Sequence, residues 1–140
     1  MEPIKLNYHV EGGDLVGAGE ASSKMKLTLK KLDLPPDVVR RCSICMYEGE
    51  INMVIHADGG DADVEIALDH ITLRLADAGP GIPDIKQAME EGFSTAGELA
   101  RDLGFGAGMG LPNMKRYADE MSIESTVGVG TTVTMRIDIP

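Results

Sequence analysis

The sequence predicts a two-layer α/β sandwich, with helices on one face of a mixed, mainly antiparallel sheet. Three observations carry this prediction. Short stretches alternate apolar and polar residues near both ends and in the middle of the chain. Two long helical patterns stand between the first and second of these stretches. Glycine or proline marks most of the joins. The resulting order is β-α-α-ββ-loop-α-ββ, and apolar faces of this kind bury one another by stacking a helical layer on a sheet. A chain of 140 residues is long enough for a real core and is read as one domain, 1–140.

Ile4 to Val10 alternates and is expected as an edge strand, broken by Gly12 and Gly13. Asp14 is placed to cap a first helix running to about Leu32, with Leu15, Gly19, Ser22, Lys26, Leu29 and Leu32 along one stripe. Pro35 and Pro36 end it and open the second helix, which is expected to run to about Ala57. Val38, Cys42, Cys45, Gly49 and Met53 form its packing side, and Gly59 and Gly60 are expected to stop it. DVEIALDHITLRLAD reads as a hairpin turning at Asp69 and His70, with Val64, Ile66 and Leu68 on one arm and Ile71, Leu73 and Leu75 on the other. A short helix from about Asp84 to Glu91 follows, then a polar, glycine-flanked loop over 92–107. A compact domain rarely keeps so long a loop without a use. A further helix from Leu111 to about Met121 and a closing hairpin, Ser122 to Ser125 with Thr131 to Ile139, complete the order.

Composition narrows the function. Lys and Arg number 13 against 23 Asp and Glu, a net charge of −10. No basic stripe exists to neutralise phosphates, which argues against a general nucleic-acid partner. No apolar run approaches the ~20 residues that span a bilayer, and the start of the chain lacks the basic-then-apolar pattern of a secretory signal. The protein is therefore expected in the cytoplasm, away from membranes. Cys42 and Cys45 make a lone C-x-x-C inside a helix. Without a second ligand pair they are expected as small buried side chains and not as a zinc or redox site.

Glu48, Asn52 and His56 recur at strides of four in the second helix. Each stride turns a helix by roughly 400°, so a carboxylate, an amide and an imidazole share one face, away from the packing side. Glu48 can accept a proton. The Asn52 carboxamide oxygen is a hard ligand suited to Mg²⁺. Glu50 points roughly 200° away from that face. Downstream, Asp77 opens a turn with Gly79 and Gly81, where backbone can approach a flat ligand. In GFGAGMGLPNMKRYAD, Gly108, Met109 and Gly110 stand directly before a helix, whose first N–H groups favour an anion.

Taken together, Glu-x-x-x-Asn-x-x-x-His, Asp-x-Gly-x-Gly, Gly-x-Gly before a helix and Gly-Thr-Thr in a terminal strand resemble the GHKL ATPases: gyrase, the chaperone ATPases, histidine kinases and mismatch-repair ATPases. The match is closest to the small anti-sigma-factor serine kinases of bacteria, of the RsbT, RsbW and SpoIIAB type, and covers about Asp14 to Ile137. The resemblance implies the Bergerat fold, with ATP and Mg²⁺ as cofactors and 92–107 as the nucleotide lid. It implies that Asp77 reads adenine, assisted by Thr131. A carboxylate accepts a hydrogen bond from the exocyclic amine, which guanine lacks at that position. It further implies that Asn52 holds magnesium, that Gly108, Met109 and Gly110 meet the phosphates, and that Glu48 is a general base. His56 ends the same stripe; it is expected either to orient phosphate or Glu48, or simply to favour the helix C-terminus.

The implied activity is phosphorylation of a small STAS-domain regulator in a partner-switching circuit, with a sigma factor as a further partner and a homodimer formed through the sheet, for which Ile4–Val10 is a candidate edge. Two other readings stay open: a nucleotide-gated binding module with negligible turnover, and the catalytic domain of a split histidine kinase, against which Glu48 speaks because that position is usually asparagine there. Two departures stand out. Gly104 to Ala107 contain no arginine for phosphate, and Gly17-Ala18-Gly19-Glu20 lacks the arginine that several relatives carry in the first helix.

Overall fold

The computed structural model describes residues 2–57, 59–90 and 110–140. The expected lid over 92–107, and Gly108 and Met109, lie outside the described residues. In chain order the elements are β1 (Ile4–Glu11), α1 (Glu20–Lys31), α2 (Pro36–His56), β2 (Gly59–Ile66), β3 (His70–Asp77), α3 (Ile85–Ala88), α4 (Gly110–Tyr117), β4 (Glu120–Thr126) and β5 (Gly130–Asp138). The strands form one sheet in the order β1-β2-β3-β5-β4, and each of the four pairings is antiparallel.

Alternation decides the sheet's two faces. Leu6, Val64, Leu73, Met135 and Met121 pair in one row across all five strands, and Val64, Leu73 and Met135 are buried. Their neighbours Asp63, Glu65 and Arg74 point to the exposed face. Helix α2 covers the apolar face through Val38, Cys42, Cys45 and Met53, the side its spacing predicts. Burial pushes both thiols up to about 12, so Cys42 and Cys45 are protonated core side chains, as expected. No described helix is long and apolar enough to cross a membrane.

Gly49 sets how closely α2 lies on β3. A Cβ there would stand 2.5 Å from Leu75 Cδ2, and Leu75 is itself buried. Gly49→Val is therefore expected to destabilise the fold by about 1–3 kcal/mol through overpacking, read as a lowered urea midpoint at unchanged slope.

Several boundaries differ from expectation. Helix α1 starts at Glu20, after Gly19 at a left-handed φ of 96°, and not at Asp14. Asp14 instead accepts a hydrogen bond from Gly17 N at 2.9 Å and caps a turn. The buried stripe is Ala21, Ser22, Met25 and Leu29; Lys26, expected on it, is exposed, because Met25 sits about 100° round the helix in its place. No local side chain caps α1. The carboxylate of Glu50, from α2, does so: Oε2 accepts from Gly19 N (3.0 Å) and Ala21 N (3.1 Å), and Oε1 from Ser22 N (2.9 Å) and Ser22 Oγ (2.6 Å). A negative group at a helix N-terminus satisfies unpaired donors and opposes the dipole favourably.

Helix α2 ends at His56, and Gly59 and Gly60 begin β2 instead of merely stopping the helix; Gly60 pairs with both Val10 and Asp77. Helix α4 ends at Tyr117, earlier than the expected Met121, which lies in β4. Arg41 of α2 accounts for that end. Its Nε donates to Tyr117 O at 2.9 Å, and its guanidinium pairs with Asp119 at 2.9 Å. Lysine and arginine groups at a helix C-terminus stabilise its last carbonyls.

Candidate nucleotide site

Glu48, Asn52 and His56 share one half-buried stripe of α2, as their spacing predicts. At 1.5 Å per residue the stripe is about 12 Å long. Different elements meet its two ends.

At the Glu48 end stands the start of α4. A Cβ on Gly110 would lie 3.1 Å from each terminal atom of the Asn52 carboxamide and 3.3 Å from Glu48 Oε2. The absence of a side chain at Gly110 thus leaves the Glu48–Asn52 pair facing the first turn of a helix. One turn further along α4, Asn113 Nδ2 donates to Glu48 Oε1 at 3.4 Å. Burial raises the Glu48 carboxyl above the usual carboxylate range, and the Asn113 hydrogen bond opposes that rise.

At the His56 end stands the turn after β3. A Cβ on Gly79 would lie 2.6 Å from Ala57 Cβ, so the turn presses against the residue that follows α2. Gly81, at φ 79°, would place a Cβ 2.6 Å from Thr126 O, against the β4–β5 hairpin. Close packing within the chain is thus sufficient reason for both glycines. Burial lowers the His56 pKa, so its imidazole is neutral at neutral pH.

Asp77 splits its carboxylate between two tasks. Oδ1 accepts from Gly79 N at 2.9 Å and from Thr131 N at 3.1 Å, which ties the turn to β5. Oδ2 takes no hydrogen bond among the described residues. Thr131 is buried on β5, and its Oγ1 lies 2.9 Å from Ser125 Oγ. Ser125 also accepts from Ile82 N at 2.7 Å, joining β4, β5 and the loop after Asp77. Sequence reasoning missed Asn113 and Ser125. Ser125 left a signal: it continues the inward series Met121, Ile123, where an apolar residue is the rule.

A family model described as histidine kinase-, DNA gyrase B-, and HSP90-like ATPase matches residues 42–140. The chain belongs to this ATPase family. Among its relatives, the serine/threonine-protein kinase RsbT of Bacillus subtilis is 40% identical over 97 residues, 66% of this chain and 67% of that protein. An anti-sigma F factor of Geobacillus stearothermophilus is 33% identical over 114 residues, 76% of this chain and 73% of that protein. The mycobacterial sensor histidine kinase MprB shares the fold, with a TM-score of 0.55 at 15% identity over 97% of this chain and 98% of that one. The site described above falls within the part of the chain that the ATPase family model matches.

Proposed function

We propose that the protein is an ATP- and Mg²⁺-dependent serine/threonine protein kinase of the anti-sigma regulatory type, acting on a STAS-domain regulator in a partner-switching circuit with a sigma factor as a further partner. One observation carries the reading: Glu48 Oε2 and the Asn52 carboxamide converge on the first residue of α4. A helix N-terminus favours phosphate, so a base and a hard oxygen ligand stand where the terminal phosphoryl group would lie. The names of the relatives, a serine/threonine-protein kinase and anti-sigma factors, agree with it.

ATP would lie along α2, with adenine at the Asp77 end and phosphates at the Gly110 end. Oδ2 of Asp77 would accept from the adenine amine while Oδ1 keeps the turn and β5 in place. Gly108, Met109 and Gly110 would present backbone N–H groups to the phosphates. Glu48 would take the proton from a serine or threonine hydroxyl as its oxygen bonds to the γ-phosphorus and the bond to the β-phosphate oxygen breaks, releasing ADP.

The chain's donors fit magnesium. The Asn52 carboxamide lies beside Glu48 Oε2 at Gly110, its oxygen is a hard donor of the kind Mg²⁺ takes, and Mg²⁺ needs few protein ligands when phosphates and waters complete its shell. Asn52 would hold it, and the ion would neutralise charge on the phosphate oxygens.

Incubation with Mg²⁺, γ-labelled ATP and an extract of the source cells tests the activity. Label on one small acceptor protein is expected. Confirmed ATP binding with no labelled acceptor would instead favour a nucleotide-gated binding module. Asp77→Asn tests the orientation. Its carboxamide oxygen can keep both backbone bonds, but its NH₂ would then face the adenine amine. ATP affinity is expected to fall about 10–100-fold, from the ~1–3 kcal/mol of leaving a donor unpaired, with the unfolding midpoint nearly unchanged. Unaltered affinity by calorimetry would remove Asp77 from the adenine contact.

A further inference from the structure

Asn113 stands outside every motif that marks the site, yet it makes the hydrogen bond described to Glu48. Only its NH₂ can favourably face an ionised carboxylate, since two oxygens would repel. The bond engages Oε1 and leaves Oε2 towards Gly110 and Asn52. Asn113 and Gly110 are three residues apart, neighbours on one helical face. That helix is clamped at its other end to α2 by Arg41. The donor is therefore carried on the same rigid element whose first turn faces the pair.

We infer that Asn113 is the positioning residue for Glu48: it holds Oε1 so that Oε2 meets the acceptor hydroxyl, and it makes the aim of the base depend on the seating of α4. This rests on the reading of Glu48 as the general base. A carboxylate free to rotate about its terminal bond presents either oxygen, or neither, to a substrate. One fixed by a donor from α4 is aimed whenever the phosphate-binding helix is in place. Among the described residues, the titratable groups that sense the charge of Glu48, Cys45 and Tyr47, lie on its own helix, and burial raises both, which keeps them protonated and neutral. The contact from α4 is thus the specific one.

The test compares Asn113→Ala, which removes the donor, Asn113→Asp, which sets a second carboxylate against Glu48, and Asn113→Gln, which retains an NH₂. Three quantities are read: the single-turnover transfer rate against pH, the affinity for ATP, and the titration of the Glu48 carboxyl carbon by NMR in the full chain. In the alanine variant the rate is expected to fall about tenfold, part of the ~10²–10⁴-fold a general base supplies, with ATP affinity within about twofold. The acid limb of the rate profile and the NMR midpoint should both move to higher pH, further in the aspartate variant, because loss of a donor and gain of a like charge each disfavour the ionised form. The glutamine variant should recover most of the rate. An NMR midpoint and acid limb unmoved in both the alanine and aspartate variants would overturn the inference. If the NMR midpoints shift in the expected order while no form of the protein, including the unsubstituted one, transfers phosphate, the hydrogen bond stands and the kinase reading falls.

Discussion

Glu48→Gln is expected to slow phosphoryl transfer by about 10²–10⁴-fold, the usual contribution of a positioned base, while ATP affinity changes little. The amide keeps the size and the hydrogen-bond acceptor of the side chain but cannot take a proton. The same substitution is expected to stabilise the fold at neutral pH. Burial holds the Glu48 carboxyl above its ordinary range in the folded protein. The unfolded chain therefore releases that proton at lower pH than the folded one. Stability is lost as pH rises from the ordinary glutamate range through the raised folded value, and the loss persists above it. The glutamine variant escapes that loss. Its urea midpoint should exceed the parent's at pH 7, and the two should converge below the ordinary glutamate range. Retained transfer would remove Glu48 as the base, and a lower midpoint at pH 7 would mean that burial is not what governs its charge.

Glu50 should behave in the opposite way. It is 2% exposed and accepts four hydrogen bonds from Gly19, Ala21 and Ser22. Glu50→Ala leaves buried N–H groups at the start of α1 without an acceptor. Hydrogen bonds to a charged group contribute about 1.5–3 kcal/mol each and do not add fully, so a loss of about 3–5 kcal/mol is expected. That is a large part of the ~5–15 kcal/mol that holds a domain together. Denaturant unfolding should show a strongly lowered midpoint, with transfer per folded molecule largely kept at low temperature. Loss of only a few tenths of a kcal/mol would mean that water replaces Glu50 at the helix end. On the proposed reading of Glu48 as the base, two glutamates two residues apart would serve catalysis and stability separately, because a helix turns about 200° between them.

The sequence made α2 and most of the central hairpin legible because their periods are strong. Leu68, expected on the first arm, is instead exposed in the turn, and His70, expected in the turn, opens β3. Val38, Cys42, Cys45, Gly49 and Met53 pack as their spacing predicts, and β1 lies at the sheet edge. The start of α1 was hidden because its cap comes from Glu50, some 30 residues further on, while Asp14 offered a convincing local alternative. The end of α4 was hidden for the same reason, since Arg41 supplies its last contact from another helix. In the site, strides of four on one helix could be read directly. The bond between Asn113 and Glu48 spans 65 positions, and no local pattern encodes it.

The sheet order has a consequence in time. β5 is the last of the five strands in sequence, yet it lies between β3 and β4. Asp77 gains its second backbone donor only from Thr131, 54 positions later. Closing so long a loop is slow compared with forming local turns and helices. During synthesis on the ribosome, α2 and the β2–β3 hairpin can form well before the Asp77 turn is fixed, and β4 has no neighbour to pair with until β5 emerges. The emerging chain therefore has to keep an open sheet edge from pairing with other chains until its final strand arrives.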